Sequence, residues 1–281
     1  MPTQKLGKNE MPKEKKDKKG NYKILPVRPS EDFGKIDREL PAPLQSMFKK
    51  NGAVLAVMSP PGSGKSNFLS SLLLQDNLLK DFFHGGIYLI SPTIHNDITS
   101  RFLKAYVEEN GYVSDEYSEE AMEEIFKNIM MVPKDEREFC SVILDDCMGS
   151  LKQNTFCSKM ASCCRHMKSL QIYSTQSVKS LPPNLRSNIS HTITFYQPSN
   201  KQLNDIVELH SCFGGEKVFL EKYKEACGIK YGFLLSDFRD MKLYAWGADR
   251  TEPIEIYSRY DENGNINMEG QEMNHGSIKG E

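Results

Sequence analysis

The run Ser59-Pro-Pro-Gly62-Ser63-Gly64-Lys65-Ser66 keeps three of the four fixed positions of the phosphate-loop pattern G-x-x-x-x-G-K-[ST], with Ser59 where the first glycine stands. Each residue type has a task in that chemistry. Gly62 and Gly64 let the backbone curl so that successive N–H groups point at an anion, Lys65 reaches β- and γ-phosphate oxygens, and the Ser66 hydroxyl ligates Mg²⁺. Pro61, Gly62, Ser63, Gly64, Lys65, Ser66 and Asn67 are the expected nucleotide-binding residues. Downstream, Cys140-Ser-Val-Ile-Leu-Asp145-Asp146 is an apolar run that ends in two carboxylates. Asp145 is suited to holding Mg²⁺, and Asp146 to polarising an attacking water as general base. Gln176 follows Leu170-Gln-Ile-Tyr-Ser-Thr175, and its amide can bond both a γ-phosphate oxygen and the lytic water. Asn200-Lys201-Gln202-Leu203 begins like a guanine-selecting Asn-Lys-x-Asp but ends in Leu, which favours ATP over GTP.

These groups act together only if the elements that carry them converge. Ala53 to Met58 is a continuous apolar run, and beyond the loop Phe68, Leu69, Leu72 and Leu73 recur at helical spacing, which predicts strand, phosphate loop and helix. Further strands are expected at Ile87 to Ser91, Ser141 to Leu144, Leu170 to Ser174 and His191 to Phe195. Phe233 to Leu235 and Leu243 to Trp246 read as a terminal hairpin around Asp240-Met241. Apolar strands separated by helical stretches predict an α/β fold with a central, mostly parallel sheet flanked by helices. The order phosphate loop, acidic strand, polar-tipped strand is that of a RecA/ASCE-like P-loop NTPase, with the third strand beside the first and ligands at the carboxyl ends. Glu108 to Glu124 carries eight acidic residues and no basic ones. It is expected to be part of a solvent-facing insertion, around residues 104–130, that ends in a helix capped by Ser118 with Glu119 and Glu120 in its first turn.

Composition limits what such a site can serve. In 281 residues, 38% hydrophobic content with 14 Phe and 12 Tyr suffices for a large core and excludes wholesale disorder. Lys+Arg of 36 against Asp+Glu of 38 leaves a net charge of −2, so a polyanion must be met by a local patch, for which Lys152, Lys159, Lys168 and Lys179 are candidates. Residues 1–23 hold eight Lys and few large apolar side chains and are expected to form a disordered basic arm, with the ATPase domain at 24–260 and a loose tail at 261–281. Seven cysteines, an odd number, without a secretory leader or a membrane-length apolar run, predict reduced thiols and a soluble chain in a cytosol-like compartment. Cys157, Cys163, Cys164 and His166 lack the spacing of a zinc site.

In this order the motifs resemble those of the genome-packaging ATPases of large DNA viruses and their virophage relatives, within the FtsK–HerA superfamily. The similarity runs from about Val54 to Phe195. It is carried by the phosphate loop, Ile87-Tyr-Leu-Ile-Ser-Pro92-Thr93, Leu144-Asp-Asp146, Arg165-His166, Ser174-Thr-Gln176-Ser and Pro183-Asn-Leu-Arg186-Ser-Asn188. The resemblance implies a homo-oligomeric, usually hexameric, ring with ATP between subunits and double-stranded DNA through the middle. It implies genome packaging into a preformed capsid, with a capsid or portal-vertex protein as partner, in the host cytoplasm, a virus factory or the virion. It also implies an arginine from a neighbouring subunit, with Arg165 as first candidate and Arg186 as second. A P-loop small-molecule kinase and a non-hydrolysing ATP-binding assembly subunit remain the alternatives.

Overall fold

The computed structural model of the chain describes residues 38–95, 100–147, 151 and 155–267. The basic arm at 1–23, Lys152 and the tail beyond residue 267 lie outside them. The first helix, α1 (Ala42–Lys49), has proline in its opening turn, where the missing N–H costs no helical hydrogen bond. Leu44, Met47 and Phe48 fall on one face and are buried. The chain then turns through Asn51 and Gly52, with φ of 59° and 137°. A Cβ on Gly52 would lie 2.6 Å from the Ser169 carbonyl oxygen, so glycine alone lets the next strand enter the sheet here.

That strand is β1 (Ala53–Met58), and the phosphate loop joins it to α2 (Lys65–Leu74), which buries Phe68, Leu69, Leu72 and Leu73 as their spacing predicts. The chain continues through β2 (Ile87–Ile90), α3 (Arg101–Asn110), β3 (Gly111–Ser114), α4 (Glu119–Met131) and β4 (Cys140–Leu144). There follow α5 (Phe156–Ser162), α6 (Cys164–Met167), β5 (Ser169–Thr175), α7 (Pro183–Arg186) and β6 (His191–Phe195). The last elements are α8 (Asn200–Leu209), α9 (Glu216–Cys227), β7 (Gly232–Asp237), β8 (Lys242–Gly247) and β9 (Arg250–Ser258).

Among the described residues these strands form one sheet in the order β3-β2-β4-β5-β1-β6-β7-β8-β9. The strands from β3 to β6 in that order are parallel, and β7, β8 and β9 extend the sheet antiparallel. The Gln176-bearing strand lies beside the phosphate-loop strand, as expected, in register from Ala53 opposite Leu170 to Met58 opposite Thr175.

Strand alternation sends β1 side chains into two cores. Leu55 and Val57 pack with Phe48, Leu69 and Leu72 on one face; Val54 and Ala56 pack with Ile125, Met160 and Leu185 on the other. On the first face Phe48 sits 4.5 Å from Phe82 and 5.2 Å from Phe139 between ring centroids. A third cluster, including Phe213, Phe219, Leu234 and Leu243, joins α8 and α9 to the antiparallel strands.

Two features add to expectation. The acidic stretch, exposed along much of its length, also supplies regular elements: Gly111–Ser114 pairs with β2 as a strand of the sheet, and α4 buries Met122, Ile125 and Ile129. On α4 Glu120, Glu123 and Glu124 lie away from that buried face, while Ser118 caps as predicted, its Oγ accepting the Ala121 N–H at 3.1 Å. The hairpin around Asp240-Met241 forms, but β9 then adds a further strand that carries Glu252, Pro253 and Glu255 on a half-exposed edge.

Candidate nucleotide site

Adjacent, parallel β1, β4 and β5 deliver their carboxyl ends to one place. There a cavity of about 460 Å³ is lined by Lys65, Ser66, Thr93, Asp145, Asp146 and Gln176 together with the loop. Ser59 is buried, its N–H donating to the Thr175 carbonyl at 3.0 Å, and its φ is not positive, so this position has no need of glycine. Gly62 and Gly64 do need it, with φ of 73° and 102°. Ser63 Oγ is buried without a hydrogen-bond partner, an orphan group in the loop that an anion's shell would satisfy.

Lys65 Nζ lies 2.9 Å from Asp145 Oδ1 and 2.6 Å from Asp146 Oδ2. Burial alone would push the ammonium pKa down, but the two carboxylates outweigh it and hold the pKa above the ordinary lysine value. Asp145 is fixed from both neighbouring strands. Ser174 Oγ donates to Oδ1 at 2.5 Å, and Ser91 Oγ donates to Oδ2 at 3.3 Å. Asp146 has a left-handed backbone, φ 54°, and its N–H donates to Ser174 Oγ at 3.4 Å. The Ser174 hydroxyl therefore links the two aspartates to the strand that ends in Gln176. Gln176 itself is exposed at the cavity.

The hard oxygen donors Ser66 Oγ and Asp145, beside a phosphate cradle, fit Mg²⁺, an ion bound through one or two carboxylates, substrate phosphates and water. Of the other expected groups, Arg165 is exposed on α6, before the amino end of β5, roughly 20 Å from Gln176 by strand rise. It lines a different cavity, with Lys50, Asn188 and Arg239. Arg186 ends α7, half-buried, and does not line the phosphate cavity. Lys159 Nζ lies 4.6 Å from the Phe126 ring centroid and Lys179 is 2.5 Å from Asp205, so both cations have partners within the chain. Lys168 terminates α6. The Cys157 thiol is pushed up to about 12 by burial and belongs to the core.

Motif reasoning assigned no role to Ser91, Ser174 or Tyr231. Ser91 and Ser174 stand next to strand residues paired with Leu144, one position before Asp145, so a hydroxyl at the tip of each flanking strand was the available signal. For Tyr231 there was none, since its place beside the loop depends on the antiparallel extension of the sheet.

Among the described residues no helix is long and apolar enough to cross a membrane. No curated protein significantly matches the chain. Among solved structures, the genome packaging NTPase B204 from Sulfolobus turreted icosahedral virus 2 in complex with ATP-gammaS is similar at 17% identity with a TM-score of 0.50, over 69% of this chain and 95% of that one. Its complex with AMP gives 20% and 0.50, over 69% and 96%. The crystal structure of B204, the DNA-packaging ATPase from Sulfolobus Turreted Icosahedral Virus, gives 19% and 0.50, over 68% and 95%. At such identities the likeness is one of fold. The family model described as Poxvirus A32 protein matches residues 45–224, a span that holds the phosphate loop, both aspartates and Gln176. Its fold is that of a P-loop ATPase, and with more than half its length matched, the chain belongs to the Poxvirus A32 protein family.

Proposed function

We propose that this ATPase drives double-stranded DNA into a preformed capsid as one subunit of a homo-oligomeric ring, hexameric in the arrangement its motifs imply, with hydrolysis at subunit interfaces. The observation that carries the reading is the convergence of Lys65, Asp145, Asp146 and Gln176 at one end of three adjacent parallel strands. Residues 24–260 are the working domain in this reading.

An entering triphosphate competes with the aspartates for Lys65, whose ammonium moves onto β and γ oxygens and neutralises charge there. Asp145, held by Ser91 and Ser174, and the Ser66 hydroxyl are the groups that would hold Mg²⁺, which would supply further neutralisation of the phosphate charge. Gln176 orients the lytic water and Asp146, released by Lys65, accepts its proton. The water oxygen bonds to the γ-phosphorus as the bond to the ADP oxygen breaks. An arginine from a neighbour, Arg165 or Arg186, stabilises the charge that develops. The DNA is gripped through its phosphates, since a packaging motor must accept any sequence, and Lys152, Lys168 and the basic arm are the cations assigned to it. The work takes place in host cytoplasm or a virus factory, beside a capsid or portal-vertex partner.

Steady-state ATP hydrolysis with and without long duplex DNA tests this. Turnover stimulated by DNA is the expected result. Turnover that depends on a small acceptor, as in a kinase, or no turnover at all, as in an assembly subunit, overturns it.

A further inference from the structure

A second cavity, of about 490 Å³, opens off the phosphate cavity and shares Gly64, Asn67 and Tyr231 with it. Its relation to a bound triphosphate follows from the polarity of the site. Lys65, Asp145, Asp146 and Gln176 gather the β,γ end on one side, so the α-phosphate and whatever it carries depart past Asn67 in the first turn of α2. That path leads into the recess between α2 and the turn joining β8 to β9.

The floor of the recess is aromatic. Phe68 and Phe233 meet edge to face at 5.3 Å, Phe233 and Trp246 lie 5.7 Å apart, and all three are buried. Tyr231 stands at the mouth, 51% exposed, and packs on the phosphate loop so closely that a Cβ on Gly64 would be 3.3 Å from its ring. Its backbone φ is 67°, a conformation that a bulky side chain rarely adopts and that recurs at ligand clamps. The polar neighbours are poorly placed to read a base edge. Arg250 donates to the carbonyls of Ala226 at 3.0 Å and Glu225 at 3.2 Å, and Gln75, Asn77 and Thr251 are exposed. Among the described residues no side chain of the wall offers a buried donor or acceptor without a partner.

We propose that this recess holds the nucleobase of the triphosphate, with Tyr231 stacked on its face, and that the base is selected by its flat π surface rather than by its hydrogen-bonding edge. The inference rests on the triphosphate reading of the phosphate loop. A wall built to bond a particular edge rejects the wrong base strongly, whereas an aromatic slot discriminates weakly. ATP and GTP are therefore near-equal ligands, in contrast to the adenine preference that Asn200-Lys201-Gln202-Leu203 suggests on sequence grounds.

Equilibrium binding of ATP, GTP and inorganic tripolyphosphate to the full chain tests both parts. In the wild type, ATP and GTP are expected within about tenfold of each other. Tyr231→Ala should weaken both by roughly tenfold through lost stacking, Tyr231→Phe should restore them, and tripolyphosphate, which has no base, should bind all three proteins alike. Ser71→Phe, which fills the recess from α2, should weaken both nucleotides and spare tripolyphosphate. The base site is overturned if Tyr231→Ala leaves nucleotide affinity unchanged or weakens tripolyphosphate equally. Selection by the base face is overturned by a wild-type preference well beyond tenfold. Failure of the wild type to bind tripolyphosphate would instead remove the phosphate-loop reading on which the inference stands.

Discussion

Lys65 and the two aspartates hold each other in a closed triangle of charge, 2.9 and 2.6 Å on its two ionic sides. Lys65→Ala should cut ATP turnover by roughly 100-fold or more, measured as phosphate release, because a preorganised positive group is lost where charge develops. Ser174→Ala removes the shortest donor to Asp145 and the acceptor of the Asp146 N–H. It should lower stability by about 1–2 kcal/mol and raise the Mg²⁺ concentration needed for half-maximal turnover several-fold, because the carboxylate is less firmly aimed. Lys65, Asp145, Asp146 and Gln176 were legible because the chemistry fixes their types at the start of the helix after the phosphate loop and just beyond the ends of β4 and β5. Ser91 and Ser174 were not, since a serine at the end of an apolar run serves equally well as a turn former, and only the pairing of β2, β4 and β5 turns both hydroxyls onto Asp145.

Strands buried on both faces announce themselves by apolar runs, which is why β1 and β4 were readable almost to the residue; β5 and β6 were read in spite of the buried polar side chains Gln171, His191, Thr192 and Thr194. Edge strands do not. β3 is four residues with two exposed, and β9 is exposed or half-exposed nearly throughout, with Glu252 and Glu255 along it, so each looks like loop until its neighbour supplies the hydrogen bonds. Acidic density left the packing side of α4 unread because composition counts charges without asking which side of a helix they occupy; Met122, Ile125 and Ile129 mark the side that packs. The Ser118 cap was right and is open to measurement. Ser118→Ala should cost about 1 kcal/mol in denaturant unfolding. Gly52→Ala should cost more and sharply reduce soluble yield, since the added methyl meets backbone of two other segments, Cys164 and Ser169, that cannot move aside cheaply.

At the scale of the molecule, stability should depend on pH through His210. The ring is fully buried, stacked on Phe219 at 4.5 Å, with Nδ1–H donating to the Ile206 carbonyl and Nε2 accepting from Thr192. Burial pushes its pKa down to about 4. The unfolded chain takes up this proton near the ordinary histidine value while the folded one stays neutral, so stability is full above about pH 6.5 and falls by up to about 3 kcal/mol as pH approaches 4. Chemical unfolding at pH 7.5 and 5 measures the slope, and His210→Gln should reduce it, leaving the part contributed by His191, whose pKa burial also lowers. DNA stimulation of ATPase activity should fall steeply with added salt, because phosphate contacts release counterions; salt-independent stimulation would count against the phosphate grip.

Strand β5 has unlike ends, with Gln176 at one and Arg165 before the other. A twofold pair joined end to end sets like against like, whereas one joined along its sides with the strands opposed closes after two subunits and turns each Arg165 toward the other's phosphate loop. Where neighbours instead repeat in the same sense, front to rear, each contact delivers one guanidinium, and the series either comes round on itself as a cycle or winds on without end as a filament.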